Sequence, residues 1–165
     1  MFNLPETNIF ILEPVPRLYY FDRQDTRLPR RMTALDAWNT IMSDPQPLLK
    51  VAFRIRDAIS SAFGVKQIGG FSGNPVHGIE VGEYLDFFRV EHVQDDCLVL
   101  TERDRHLDVM TCISIDGDTL SVTSSVCVHN LFGRVYMIPV GIAHRWIVRS
   151  MFRRLHDKNP LPLTG

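Results

Sequence analysis

The sequence predicts an α+β fold: a curved antiparallel sheet of about six or seven strands around one long C-terminal helix, with two shorter helices after the first strand. Three observations carry this expectation. Apolar residues recur at helical spacing over residues 48–63 and again over 142–156, the pattern of helices with a buried side. From Glu83 onward the chain changes to short β-branched and aromatic runs broken by acidic turns, one of them Asp116-Gly117, a strong hairpin signal. The last long stretch, GRVYMIPV followed by GIAHRWIVRSMFRRLH, reads as a strand feeding the final helix.

Taken in order, residues 1–16 mix apolar side chains with three prolines and suggest an irregular arm. Leu18-Tyr19-Tyr20-Phe21 suits a first strand, and the basic cluster from Arg27 to Arg31 a solvated loop. Thr33 can cap a short helix through Trp38 and Met42, with Asp36 three residues on as the acidic capping-box partner. Asp44-Pro45-Gln46-Pro47 breaks that helix. The next has Leu48, Val51, Ala52, Ile55, Ala58, Ile59, Ala62 and Phe63 on one face, Lys50, Arg54, Asp57 and Ser61 opposite, and Gly64 at its end. The glycine-rich run 65–82 fits neither GxGxxG nor GxSxG spacing and reads as a loop, with a strand possible only at its start.

Strands then follow over 84–93, 97–103, 106–115 and 118–129. With Asp116 and Gly117 as the hairpin loop, Ile113 faces Leu120 and Leu107 faces Val126. One side then collects Leu107, Val109, Ile113, Leu120, Val122 and Val126, and leaves His106, Asp108, Ser125 and Cys127 on the other. Pro139 interrupts sheet pairing and Gly141 loosens the chain, which sets the final helix to begin near Ile142. Ala143, Trp146, Ile147, Val148, Met151, Phe152 and Leu155 sweep a wide apolar arc containing His144, and Arg145, Arg149 and Arg153 form the solvent stripe.

The totals bound the function. A chain of 165 residues fits a single domain, with 157–165 as a tail. A formal charge of −1 gives no electrostatic case for nucleic acid. Cys97, Cys112 and Cys127 have neither metal spacing nor an even count for a disulfide framework. The start of the chain lacks signal-peptide features, and no apolar run approaches the roughly 20 residues of a membrane span. The expectation is a cytoplasmic protein with no metal and no cofactor.

His106-Leu107-Asp108, His129-Asn130, Gly133-Arg134-Val135-Tyr136 and His144-Arg145 with the helix after it resemble a bacterial domain family of unknown function. Some of its members sit behind NAD(P)-binding short-chain-dehydrogenase-like domains. The resemblance runs from Leu48 to Arg154 and is most specific from His106 onward. It implies a helix-grip fold of the START, Bet v or SRPBCC type. No NAD(P)-binding domain is expected in this stretch, so the resemblance carries over no reductase activity and no catalytic residue.

Two function classes follow. In one, the protein is a binding module for a hydrophobic small molecule between sheet and C-terminal helix, with His144, Arg134, Trp146 and Met151 as candidate pocket residues. In the other, it is a small cyclase, isomerase or hydrolase with a histidine as acid or base. His106 and Asp108, two apart on a strand, form either such a pair or an ion pair on the outer face. A third outcome is a filled core in a protein that acts through partners. Phe53 and the outer sheet face leave room for a homodimer.

Overall fold

The computed structural model describes residues 1–43 and 71–158 of the chain. Among these, six strands form one curved antiparallel sheet: β3 (Tyr20–Arg27), β4 (Tyr84–Leu85), β5 (Phe88–Gln94), β6 (Cys97–Arg103), β7 (Leu107–Asp116) and β8 (Thr119–Val128). The order across it is β3-β8-β7-β6-β5-β4. Strands β4 to β8 are a meander. The first of the six, β3, returns to pair with the last, which leaves β3 and β4 as the edges. Helix α1 (Ala34–Met42) and the long helix α2 (Leu131–Lys158) cover the inner face. The second short helix expected at residues 48–63, its proline breaker and the strand sought after it lie outside the described residues.

Helix α1 begins where the capping box sets it. The Asp36 N–H donates to Thr33 Oγ1 at 3.1 Å, and the Thr33 N–H donates to Asp36 Oδ2 at 3.2 Å. Ala34, Ala37, Trp38, Ile41 and Met42 are buried against the sheet.

Residues 133–140 form helix, where a strand was expected. Asn130 starts it: its Oδ1 accepts the Gly133 N–H at 3.1 Å, a cap that satisfies one of the first unpaired amides. Pro139 sits inside the helix. It costs the hydrogen bond to the carbonyl of Val135, a residue on the solvent side where water can replace the lost partner. The β-branched run that suggested a strand is therefore overridden by the cap and by packing of Met137 against Leu107 and Val126.

The β7–β8 turn lies one residue later than expected. Asp116 pairs with Thr119, Ile113 with Val122 and Leu107 with Val128, which makes Gly117 and Asp118 the loop. Gly117 has φ 59°, and a hairpin turn with glycine first needs that positive value there. Moving a two-residue loop by one position shifts the pairing by two. Side-chain parity is then unchanged, and the apolar set from Leu107 to Val126 still shares the inner face.

The N-terminal arm has a role on the outer face. A two-stranded hairpin, β1 (Phe2–Asn3) and β2 (Phe10–Ile11), brings Ile9 and Leu12 down on Cys97, Val99, Met110 and Cys112. The Leu12 N–H donates to Ser125 Oγ at 3.1 Å, and Asn8 Nδ2 donates to the Ile115 carbonyl at 3.0 Å. Cys97 and Cys112 lie under this cover with sulfurs 3.9 Å apart. Their mutual contact and burial push the Cys97 thiol up, away from the reactive thiolate.

Candidate functional site

Edge strand β3 turns Tyr20, Asp22, Gln24 and Thr26 toward α2, every second residue, as a strand must. All four meet the helix. Tyr20 Oη donates to the Gly141 carbonyl at 3.2 Å, and Gln24 Nε2 to the Arg145 carbonyl at 3.4 Å. Asp22 Oδ1 lies 3.3 Å from Arg145 Nε, and Thr26 Oγ1 lies 3.0 Å from His156 Nε2. Gly141 is what lets the helix come this close: a Cβ there would lie 3.0 Å from the Tyr20 ring.

His144 sits at the centre of this seam. Its Nε2 is 3.0 Å from Ser124 Oγ on β8. Its Nδ1 is 3.5 Å from Tyr20 Oη and 3.7 Å from Asp22 Oδ2. Asp22 pairs directly with Ser124, and Ser124 with Thr111 on β7. A row of polar side chains therefore crosses three strands beneath the imidazole, and continues as Leu100 and Val90 on β6 and β5. Contact with His144 holds the Asp22 carboxyl below its ordinary 3.8, against the upward push of burial, and Gln24 and Arg145 add to the effect. Burial raises the Tyr20 phenol, and the charge of Asp22 raises it further.

Tyr20, Thr111, Ser124 and His144 form one wall of a cavity of about 250 Å³ between the sheet and the two helices, with Asp22 behind it. The other walls are apolar. Val109, Ile113, Val122 and Val126 come from the sheet, and Met137, Val140, Ile147 and Met151 from α2. Trp38, Phe71, Phe87 and Phe88 make an aromatic end, with ring centroids 4.3 to 6.1 Å apart. Where β6 turns into β7, the lining becomes polar again with Glu102, Asp104 and His106. An apolar cavity of about 150 Å³ already admits benzene. This one has room for a larger molecule with one hydrogen-bonding group.

One family description, Protein of unknown function (DUF2867), matches residues 14–151. The chain belongs to this family. No curated protein matches it, and no solved structure does. In this DUF2867 protein the matched span takes in Tyr20, Thr111, Ser124 and His144, which line the cavity, and Asp22 beside them.

The structure sorts the residues singled out from sequence. His144 and Met151 line the cavity. Trp146 does not: it is 61% exposed on the opposite side of the helix. The Arg134 side chain is also on the outside, while its backbone carbonyl accepts from Tyr19 Oη at 3.2 Å and its N–H donates to the Asn130 carbonyl at 3.2 Å. His106 and Asp108 separate. Asp108 faces outward, 3.1 Å from His129 Nε2 and 3.8 Å from Arg103 Nη1. His106 precedes the strand, packs on the Phe132 ring at 4.6 Å, and contacts Asn130 through Nδ1. Ser124, Asp22, Tyr20 and Thr111 were not picked out from sequence. Among the described residues, no three His, Cys, Asp or Glu side chains converge as metal ligands, and no helix is long and apolar enough to cross a membrane.

Proposed function

We propose that this DUF2867 protein binds a hydrophobic small molecule in the cavity between sheet and α2, its single polar group directed at His144 and Ser124. The cavity of about 250 Å³ with one polar wall carries this reading. Ligand sites have this composition: mostly apolar surface, plus a few convergent polar groups that fix orientation. Ser124 is 2% exposed and His144 half-buried, so a ligand group replacing their mutual bond would do so away from bulk water, where hydrogen bonds discriminate best. The arrangement of a long helix across a curved sheet fits a helix-grip protein, and three free cysteines fit the reducing cytoplasm.

One observation favours a second reading, an enzyme with His144 as acid or base. Asp22 stands at one ring nitrogen and Ser124 at the other, the order in which an orienting carboxylate holds an imidazole toward a reacting group.

Native mass spectrometry of the protein purified from its own host, followed by denaturing extraction, tests binding. A co-purifying mass lost on denaturation, and a thermal shift from the same compound that His144→Ala reduces, are expected. An apo mass together with no thermal shift from a lipophilic panel sinks the binding reading. Conversion of the extracted compound by the wild type and not by His144→Ala would move the assignment to the enzyme.

A further inference from the structure

The outer side of α2 carries a pattern that the cavity does not use. Leu131, Val135, Ile138, Ile142 and Trp146 are 74%, 59%, 62%, 64% and 61% exposed. Spaced by four, three, four and four, they form one stripe along the helix. The stripe continues in the same line as Arg149 and Arg153, with Arg134 and Arg145 along one edge. Between Leu131 and Lys158 the helix holds six basic residues and one acidic residue, Asp157, in a chain whose net charge is −1. Five large exposed apolar side chains in line on one helix face have the character of an interaction site.

We infer that this stripe docks on an anionic phospholipid surface. An interfacial helix needs an apolar face that enters the acyl boundary and basic groups that meet the headgroups. Here both lie on one line, apolar for the first four turns and basic after. Trp146 stands at the junction, where an indole with an apolar body and a polar N–H is most at home. Charge selects against a second copy in parallel pairing, which would set arginine against arginine with no acid on the helix before Asp157, and an antiparallel copy would leave Arg149 and Arg153 unmatched beyond the apolar run, where phospholipid headgroups would meet them. Arg145 is engaged with Asp22, whereas Arg134, Arg149 and Arg153 have no acidic partner among the described residues. The inference stands apart from the cavity, since none of the five stripe residues lines it.

The test is co-sedimentation of the full chain with phosphatidylcholine vesicles made with and without phosphatidylglycerol, and quenching of tryptophan fluorescence by brominated lipid. Trp38 is buried, so quenching reports on Trp146. Binding to the anionic vesicles alone, weakened by salt and accompanied by quenching, is expected. Ile138→Asp with Ile142→Asp should weaken it about tenfold or more, and Arg149→Glu with Arg153→Glu should abolish the preference for anionic lipid. These positions are exposed, so the melting temperature should hold in both variants. Failure to bind either vesicle, or binding that both variants leave unchanged, overturns the inference. So does a wild-type dimer in light scattering that Ile142→Asp converts to monomer, which would give the stripe to a second copy.

Discussion

Gly133 decides how α2 meets the sheet, and replacing it with alanine sets two effects of known sign against each other. In a helix interior alanine is favoured over glycine by about 1 kcal/mol. Against this, a Cβ at position 133 would lie 2.5 Å from the His106 carbonyl oxygen and 2.9 Å from Val128 Cγ1. The valine methyl can turn away, but the carbonyl is backbone and is held by the His129 N–H at 2.8 Å. Relief requires the helix start to lift or that hydrogen bond to stretch, and such overpacking costs about 1–3 kcal/mol. The overpacking wins. Gly133→Ala should lose up to about 2 kcal/mol net, a fall in melting temperature of up to roughly 8 °C for a domain of this size. Thermal melts followed by circular dichroism, checked by urea titration, measure it. A variant as stable as the wild type, or more so, would refute the argument: the turn before β7 would then yield freely, and the close approach of α2 would not be what holds Phe132 on His106.

Three further outcomes follow from the same geometry. Asp22→Asn should destabilise the protein at neutral pH. The carboxyl is held below 3.8 in the folded state, so its contribution is present above that value and is lost as pH falls through the lower folded value; the gap between wild type and variant should close in acid melts, and a gap constant with pH would count against the Asp22–His144 contact. Val109→Phe, which projects a ring into the cavity, should remove any ligand-induced thermal shift while leaving the apo protein folded, and an undiminished shift would place the ligand elsewhere. Thr33→Ala should cost about 1 kcal/mol by removing the capping box of α1, read from the same urea titrations; no measurable loss would mean that the end of the helix is held by the sheet alone.

How far the fold was legible depended on where its signals lay. The capping box at Thr33 and Asp36 and the meander from β5 to β8 rest on local chemistry, and local chemistry can be read from a sequence. The register of the last hairpin was legible in parity but not in position. Asp116-Gly117 suggested that both residues make the turn, whereas Gly117 in the first loop position is equally good chemistry and draws Asp118 in after it. Strand β3 was recognised only at its apolar start. Its inward residues, Asp22, Gln24 and Thr26, are polar because they face the seam with α2 and not a hydrophobic core, so the alternation that identifies a half-buried strand is missing. The N-terminal half of α2 was misread for the opposite reason. A β-branched run with a proline has the composition of a strand edge, and the outweighing signal was a single residue, Asn130, placed three before Gly133.

The candidate site was half legible, and the half that was missed explains the half that was found. His144 stood out because a titratable ring in a wide apolar helix face requires a partner. Nothing local names that partner, since Ser124 is 20 residues away and Asp22 is 122. They converge only because β3 pairs with β8 in a register that puts Asp22 opposite Ser124, and because α2 crosses above that pair. Trp146 failed as a pocket residue through the same helical geometry. It lies two positions from His144, about 200° around the axis, so a helix that turns His144 to the cavity must turn Trp146 to the outside. Turning one face of α2 to the cavity turns the other to the outside, which is why a tryptophan and four aliphatic side chains stand in line there, the observation on which the proposed phospholipid surface rests.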